Sequence, residues 1–149
     1  RTHLKATVLT EKAEDWKPDE LLDGALLDAP CSATGTLRRH PEIAFQKSPD
    51  DIASLTAIQN RLLVAALEMV KPGGLVIYCT CSLQPEEGET LIANALANGL
   101  PAEIVPVRQD EVPELSQAIT SQGALRTLPC HWAERGGLDG FYAVRLRKI

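Results

Sequence analysis

The sequence predicts an α/β fold in which helices cover a largely parallel sheet. Two short apolar runs, residues 24–27 and 75–78, each end abruptly at a polar loop, as buried parallel strands do. A long amphipathic pattern lies between them and has the three- and four-residue spacing of a helix with one buried face. Strands and helices alternating along a chain are the order that builds a helix-covered parallel sheet.

Composition supports one globular domain. The chain has 149 residues and is 44% hydrophobic, which is enough for a core of ordinary size. Its net charge of −5 excludes a uniformly basic surface, although a local basic patch remains compatible with it. No apolar run approaches the roughly 20 residues of a membrane helix. Four unevenly spaced cysteines are not typical of a disulfide framework. We therefore expect a cytoplasmic chain with reduced thiols and no membrane partner.

The first quarter of the chain predicts two strands. Residues 6–9 form a weak strand pattern, and residues 24–27 form a continuously apolar one that ends at Asp28. Residues 29–47 are a polar loop punctuated by glycine and proline. The chain starts at Arg1, and its first twenty residues resemble the middle of a domain, so we expect a fragment of a longer protein.

A helix begins after this loop. Ser48 is a good N-cap, Pro49 suits the first helical position, and Asp50 and Asp51 suit the positive end of the helix dipole. The segment 72–74, Pro-Gly-Gly, ends the pattern. Six apolar residues recur at helical spacing and predict the buried face: Ile52, Leu55, Ile58, Leu62, Ala66 and Met69.

The second half predicts further alternation. Residues 75–78 are the second buried strand, and a helix with an apolar face follows from Pro85 to Asn98-Gly99. Residues 104–107 form an edge strand, because Pro106 removes a backbone donor. Residues 141–146 form the last strand, with alternate residues on opposite faces.

Cysteines stand at the ends of both buried strands. Cys31 follows the first strand and Cys81 follows the second, and the carboxyl ends of such strands form the ligand crevice of an open α/β sheet. A thiolate is a strong nucleophile, and the helix start near Pro85 favours ionisation of Cys81, whereas neighbouring glutamates oppose it. Asp28, at the end of the first strand, can hydrogen-bond a ring nitrogen or a cofactor. The pair predicts covalent chemistry on an electrophilic ring.

Other interpretations of the cysteines stay open at this point. A cysteine at a strand end is often a small core residue. Cys79 and Cys81 share one face of a regular strand and, together with Cys31 and Cys130, are enough for a four-thiolate zinc site, although their spacing matches no standard zinc pattern. If these cysteines bind no metal, Cys79 serves packing in its strand and Cys130 is structural or incidental.

Several charged residues surround the candidate site. Arg38 and Arg39 follow Cys31 closely, so we expect them to contact phosphates. Pro30 offers a rigid carbonyl. The acidic residues at 86, 87 and 89 most simply serve the N-terminus of the following helix.

The motifs around the two cysteines resemble a known family. Residues 28–41, Asp-Ala-Pro-Cys-Ser-Ala-Thr-Gly-Thr-Leu-Arg-Arg-His-Pro, resemble the fourth motif of the RNA cytosine-5 methyltransferases of the Sun/Nop group, which includes bacterial enzymes that act on 16S ribosomal RNA. Residues 78–82, Tyr-Cys-Thr-Cys-Ser, followed by Pro-Glu-Glu at 85–87, resemble the sixth motif. The glycines at 73–74 and the segment 136–141 also fit this family.

The resemblance implies a fold and an incomplete site. It implies a Rossmann-like class I methyltransferase sheet with helices on both faces, of which residues 1–149 form the carboxyl-terminal part of one S-adenosylmethionine-dependent domain. The amino-terminal strands, the glycine-rich first motif and the amino-terminal RNA-binding segment of the family are missing from this sequence. Lys12 stands where the family's third motif usually has an aspartate.

The resemblance also implies a reaction. The cysteine matching Cys81 adds to carbon 6 of a flipped-out cytosine in ribosomal RNA, and carbon 5 then takes a methyl group from S-adenosylmethionine. The residue matching Cys31 helps to remove the carbon 5 proton and release the enzyme. Asp28 is expected at the cofactor, and Pro30, Arg38 and Arg39 at the substrate, with no metal.

Two rival classes are compatible with these residues. One is a non-catalytic RNA-binding or assembly module that keeps the fold. The other is a nucleic-acid methyltransferase that acts on an amino group and whose motif also begins with an acid and a proline. Such enzymes need no cysteine at the next strand end, so Cys81 argues against them.

Overall fold

A computed structural model describes residues 4–149 as a mixed sheet with two α-helices. In chain order, the elements are β1 (Leu22–Asp28), α1 (Pro49–Met69), β2 (Val70–Thr80), α2 (Glu89–Ala97), β3 (Ala102–Ile104), β4 (Leu125–Thr127) and β5 (Phe141–Lys148). The loops contain short 3-10 helices, including one at Thr34–Thr36 and one at Pro85–Glu87. The α/β class that the sequence predicts is confirmed.

The sheet has the strand order β1-β2-β5-β3. The short strand β4 also pairs with β5, at residues 141–143, whereas β3 pairs with it at residues 146–148. β1 and β2 are parallel, with Leu26 opposite Ile77. β5 runs antiparallel to β2, β3 and β4, so among the described strands it is the one that departs from the parallel direction expected from alternation. The reason is the connection into β5: a loop joins β4 to β5, and antiparallel neighbours need no crossover helix.

Both helices pack on the same face of the sheet. Their apolar residues meet alternate residues of β2 and β5 in one buried cluster, which includes Leu63, Ile92, Val76, Tyr78, Val144 and Leu146. On the opposite face Leu26 is 72% exposed and Ile77 is 39% exposed. Helices on both faces, which the resemblance implies, are therefore not found within residues 4–149.

The start of α1 matches its sequence signals. The Ser48 hydroxyl accepts from the backbone N–H of Asp51 at 3.3 Å, and the Asp51 carboxylate accepts from the backbone N–H of Ser48 at 2.9 Å. This reciprocal capping box, with Pro49 in the first turn, stabilises a helix start by about 1 kcal/mol. α1 ends at Met69, three residues before Pro72.

Several predicted elements differ from the structure, and β1, β2 and β5 are each longer than predicted. The strand expected over residues 6–9 is wrong: the segment is irregular, Val8 is 85% exposed, and it pairs with none of the strands in the described residues. The helix expected from Pro85 begins at Glu89, after the 3-10 turn. The predicted edge strand lies at Ala102–Ile104 and excludes Pro106.

Within residues 4–149, no helix combines the length and apolar character needed to cross a membrane.

Candidate active site

The loops after β1 and β2 leave the same edge of the sheet. The two strands are parallel and in register, with Asp28 opposite Cys79. The pairing continues past the strands, because the N–H of Ala29 donates to the carbonyl of Cys79 at 3.0 Å and the N–H of Gly35 donates to the carbonyl of Cys81 at 2.9 Å. Both loops are thereby fixed to each other by backbone hydrogen bonds.

Cys31 and Cys81 face each other across this edge. Their sulfur atoms are 3.4 Å apart, both side chains are partly exposed, and both thiols are free. Burial is the main cause that raises the pKa of Cys31 to about 12, and the hydrogen bond with Cys81 also raises it. Cys31 therefore holds its proton near neutral pH and can donate it to the sulfur of Cys81. The pair combines a sulfur nucleophile with an adjacent proton donor.

The other two cysteines lie apart from this pair. Cys79 is buried, and its sulfur lies 3.5 Å from the carbonyl oxygen of Leu27. Burial also raises the pKa of Cys79 to about 11. Cys130 is exposed in the loop before β5. The residues that the structure describes contain no cluster of three or more histidine, cysteine or acidic side chains suited to a metal ion, so the four-thiolate zinc alternative has no support.

Asp28 and Pro30 lie at the start of the first loop. Asp28 is exposed at the end of β1, and its carboxylate oxygen lies 3.8 Å from the sulfur of Cys79. Pro30 is also exposed, but its carbonyl accepts a hydrogen bond from the side-chain amide of Gln59 at 2.8 Å. Gln59 is a fully buried residue of α1, so the helix holds the backbone directly before Cys31.

Arg38 and Arg39 share one acidic partner. Nε of Arg38 donates to one oxygen of Asp139 at 2.9 Å, and Nε of Arg39 donates to the other at 2.8 Å. The hydrogen bond from Arg39 is the main cause that lowers the pKa of Asp139, so the carboxylate stays charged. Two guanidinium groups against one carboxylate leave a net positive charge beside the cysteine crevice. Asp139 lies in the segment 136–141 that fits the family, but about a hundred residues separate it from both arginines, so its pairing with them is not predictable from local sequence.

Glu87 does not serve the helix N-terminus as its sequence position suggested. Its side chain is fully buried and accepts hydrogen bonds from the loops that carry the two cysteines. Glu89 is the acid that lies in the first turn of α2, where it pairs with Arg126 at 2.6 Å. The partners of Glu87 lie up to 55 residues away, so no local pattern signals this role.

A third loop joins the site through two glycines. The N–H of Gly140 donates to the carbonyl of Gly35 at 2.8 Å. A side chain at Gly35 would collide with the backbone of Gly140 and would lie 2.7 Å from the carbonyl oxygen of Cys81. The loop before β5 therefore packs directly on the loop after Cys31, and this contact brings Asp139 to Arg38 and Arg39.

The comparisons with known proteins agree on one family. The model of the family described as 16S rRNA methyltransferase RsmB/F matches residues 4–147. Ribosomal RNA small subunit methyltransferase B of Pasteurella multocida is 40% identical over 127 residues, which are 85% of this chain and 26% of that relative. This chain spans between about a fifth and a third of the length of the curated relatives that it matches.

Solved structures agree with the sheet and helix arrangement. The crystal structure of PH0851 aligns with a TM-score of 0.78 and 32% identity, covering 94% of this chain and 30% of that one. The structure of NSun6 from Pyrococcus horikoshii with SFG aligns with a TM-score of 0.69 and 21% identity, covering 95% of this chain and 34% of that one. At that identity the second alignment supports the fold alone.

Proposed function

Because this chain belongs to the 16S rRNA methyltransferase RsmB/F family, we propose that it carries the reacting thiols of an enzyme that methylates carbon 5 of a cytidine in ribosomal RNA. The family is one of RNA methyltransferases. The position of the methyl group and the covalent route are our inference. The observation that carries it is the 3.4 Å separation of the Cys31 and Cys81 sulfurs at the carboxyl ends of adjacent parallel strands.

Cys81 is the proposed nucleophile. Attack of its sulfur on carbon 6 of cytosine breaks the 5,6 double bond and moves the electron pair to carbon 5, which becomes nucleophilic. S-adenosylmethionine, when bound, supplies the methyl group as an electrophilic sulfonium carbon. Loss of the carbon 5 proton then returns the electron pair, restores the double bond and expels the sulfur of Cys81.

Cys31 is the proposed proton-transfer partner. Since burial raises its pKa to about 12, it is a thiol near neutral pH and donates its proton towards the sulfur of Cys81. This hydrogen bond stabilises negative charge on the nucleophile before attack and again when the sulfur leaves carbon 6. To act as the base, Cys31 must first lose its own proton, which passes to the cytosine ring as the Cys81 thiolate attacks carbon 6. The resulting Cys31 thiolate then takes the proton from carbon 5, and the ring proton leaves to solvent when the sulfur of Cys81 is expelled.

Asp28 is the proposed contact to S-adenosylmethionine. Its exposed carboxylate at the end of β1 is an acceptor at the edge where open α/β sheets bind ligands. The family resemblance places a glycine-rich, cofactor-binding loop after the family's first strand, upstream of Arg1, so we infer that Asp28 provides only part of the cofactor site.

The proposed substrate surface combines Pro30, Arg38 and Arg39. The exposed ring of Pro30 offers an apolar contact beside the two sulfurs. The arginines, oriented by Asp139, offer guanidinium groups to the phosphates of ribosomal RNA. A base inside a duplex is out of reach of both thiols, so the target cytidine is flipped or single-stranded.

The test uses a chimera in which residues 4–147 replace the matching segment of the Pasteurella multocida relative. Incubation with S-adenosylmethionine and a 16S ribosomal RNA fragment that contains 5-fluorocytidine traps the adduct, since fluorine at carbon 5 blocks proton loss. We expect a protein–RNA band that survives denaturation. Cys81→Ala should abolish the band, whereas Cys130→Ala, at an exposed cysteine outside the crevice, should retain it.

The controls separate the enzyme from an RNA-binding module. The unmodified relative must form the adduct, and circular dichroism must show that the chimera is folded. A folded chimera that binds the RNA but forms no adduct would contradict the proposal and favour the non-catalytic module. An adduct that persists after Cys81→Ala would contradict the assignment of the nucleophile.

A further inference from the structure

Glu87 is a fully buried carboxylate between the two cysteine loops. One carboxylate oxygen accepts from the backbone N–H of Ser32 and from the side-chain amide of Gln59, each at 2.9 Å. The other accepts from the hydroxyl of Ser82 at 2.6 Å and from the hydroxyl of Ser32. Four donors therefore converge on one side chain.

The donors come from residues next to the reacting thiols. Ser32 directly follows Cys31, and Ser82 directly follows Cys81. Their hydroxyl oxygens are 3.1 Å apart. Any displacement of one loop relative to the other lengthens hydrogen bonds to a buried carboxylate, and these are the costly ones to lose. Through Glu87, the position of Cys31 depends on the position of Cys81.

Glu87 is itself held from two sides. Its backbone carbonyl accepts from the hydroxyl of Tyr78 at 2.9 Å and from that of Thr80 at 3.4 Å, so β2 fixes its main chain. Gln59, which binds its carboxylate, also donates to the carbonyl of Pro30, so α1 fixes its side chain. Buried glutamates are rare unless they are fully paired, and this one is paired with both loops, β2 and α1.

We propose that Glu87 is a positioning residue that sets the separation of the Cys31 and Cys81 sulfurs and thereby allows proton exchange between them. The proposal rests on the proposed function for its catalytic meaning. The thiol geometry, however, can be measured without catalysis.

The experiment measures how readily the two thiols of the full chain form a disulfide. Oxidised glutathione accepts two electrons and two protons from Cys31 and Cys81 and leaves as two reduced glutathiones. The equilibrium constant reports how well the sulfurs are held together. Cys130→Ser is the background, because it removes the exposed thiol. Peptide mapping by mass spectrometry identifies the bond.

Matched variants test the carboxylate. Glu87→Ala removes all four acceptor contacts, and we expect the equilibrium constant to fall about tenfold or more, as loss of hydrogen bonds to a buried charged group predicts. Glu87→Gln keeps one oxygen and adds an N–H₂ group that donates to the serine hydroxyls, so we expect a value within about threefold of the background. Glu86→Ala, at the exposed neighbouring glutamate, should have no effect.

A second variant tests the proposal even if Glu87→Ala unfolds the chain. Ser32→Ala combined with Ser82→Ala leaves the carboxylate and deletes both hydroxyl donors, and we expect about a fivefold fall. Folded variants that keep the background equilibrium constant would overturn the proposal. So would a Glu87→Gln variant as impaired as Glu87→Ala.

Turnover in the chimera provides the catalytic readout. We expect Glu87→Ala to lower kcat with little change in KM, since RNA contacts are untouched, and Glu87→Gln to restore most of kcat. If the unmutated chimera forms no adduct, the proposed function fails while the disulfide measurement still decides the role of Glu87. An equal loss in kcat for both variants, with unchanged disulfide equilibria, would overturn the positioning role.

Discussion

The sulfur of Cys31 lies 3.4 Å from the sulfur of Cys81, although 50 residues separate the two cysteines along the chain. Two parallel strands with matched ends bring them together. The Glu87 carboxylate accepts hydrogen bonds from the residues that follow each thiol. The pair is therefore held both by the pairing of the two strands and by a buried acid.

Removal of each thiol is expected to block a different step of the reaction. In the chimera, Cys31→Ala should accumulate a covalent adduct with ordinary cytidine RNA in the presence of S-adenosylmethionine, because release is blocked after Cys81 has added. Cys81→Ala should form no adduct. Denaturing gels measure both, with Cys79→Ala as a control at a buried cysteine outside the pair. An adduct in the Cys81 variant would show that the roles are reversed.

The cysteines should also differ in reactivity towards iodoacetamide. At pH 8 we expect Cys130 to react first, because it is exposed, and Cys31 and Cys79 to react slowly, because burial raises their pKa values to about 12 and about 11. Labelling of Cys31 should rise about tenfold per pH unit below its pKa, as the thiolate fraction does.

Mass spectrometry of the peptides measures this order. Cys130→Ser should remove only the fast phase. Labelling of Cys31 at the rate of Cys130 at pH 8 would contradict the buried, protonated thiol.

The arginine pair is expected to make the RNA affinity of the chimera depend on salt. Arg38→Ala or Arg39→Ala should each weaken binding and lower the slope of log affinity against log salt by about 0.7 to 0.9, the value for one lost phosphate contact. Fluorescence anisotropy at several salt concentrations measures the slope. Arg108→Ala, at an exposed arginine paired with Asp110, is the control, and an equal effect there would remove the specific role.

The chain by itself should bind S-adenosylmethionine poorly or not at all. Asp28 is the one cofactor contact that we assign to it, and a single exposed carboxylate holds a small ligand weakly, since few contacts offset the entropy lost on binding. Isothermal titration calorimetry measures this, with the chimera as the positive comparison. Micromolar affinity of the chain alone would refute the incomplete cofactor site.

Gly35→Ala should destabilise the chain by about 1 to 3 kcal/mol, the usual range for an overpacked site. A methyl group at this position would collide with the backbone of Gly140, which cannot rotate away as a side chain can. Thermal or urea unfolding measures the loss. Gly24→Ala is the control, since its added carbon would meet a carbonyl oxygen at 3.1 Å, a milder contact; equal losses would contradict the proposed packing.

The sequence predicted those features whose signals are local. Ser48 and Asp51, three residues apart, specify the start of α1, and the apolar run ending at Asp28 specifies β1. The sequence also predicted that the sulfurs of Cys31 and Cys81 face one pocket if their strands are adjacent, and β1 and β2 are adjacent and parallel. In each case the partners are close in sequence or related by a general rule of sheet geometry.

The features that were missed depend on distant partners. The sequence position of Glu87 indicates a helix N-terminus, because two of the residues that donate to its carboxylate, Ser32 and Gln59, lie 55 and 28 residues away. Asp139 was not connected to Arg39 across 100 residues. The antiparallel direction of β5 follows a connection through β4, a three-residue strand with no periodic pattern of its own.

The contact between Gly35 and Gly140 limits how this molecule can change over evolutionary time. At most tight contacts, growth of one side chain can be compensated when its neighbour becomes smaller. Here both neighbours are already the smallest residue, so neither can yield space to the other. A descendant that enlarges Gly35 has to shift the segment around Gly140, and the two arginines and the thiol pair would be displaced with it.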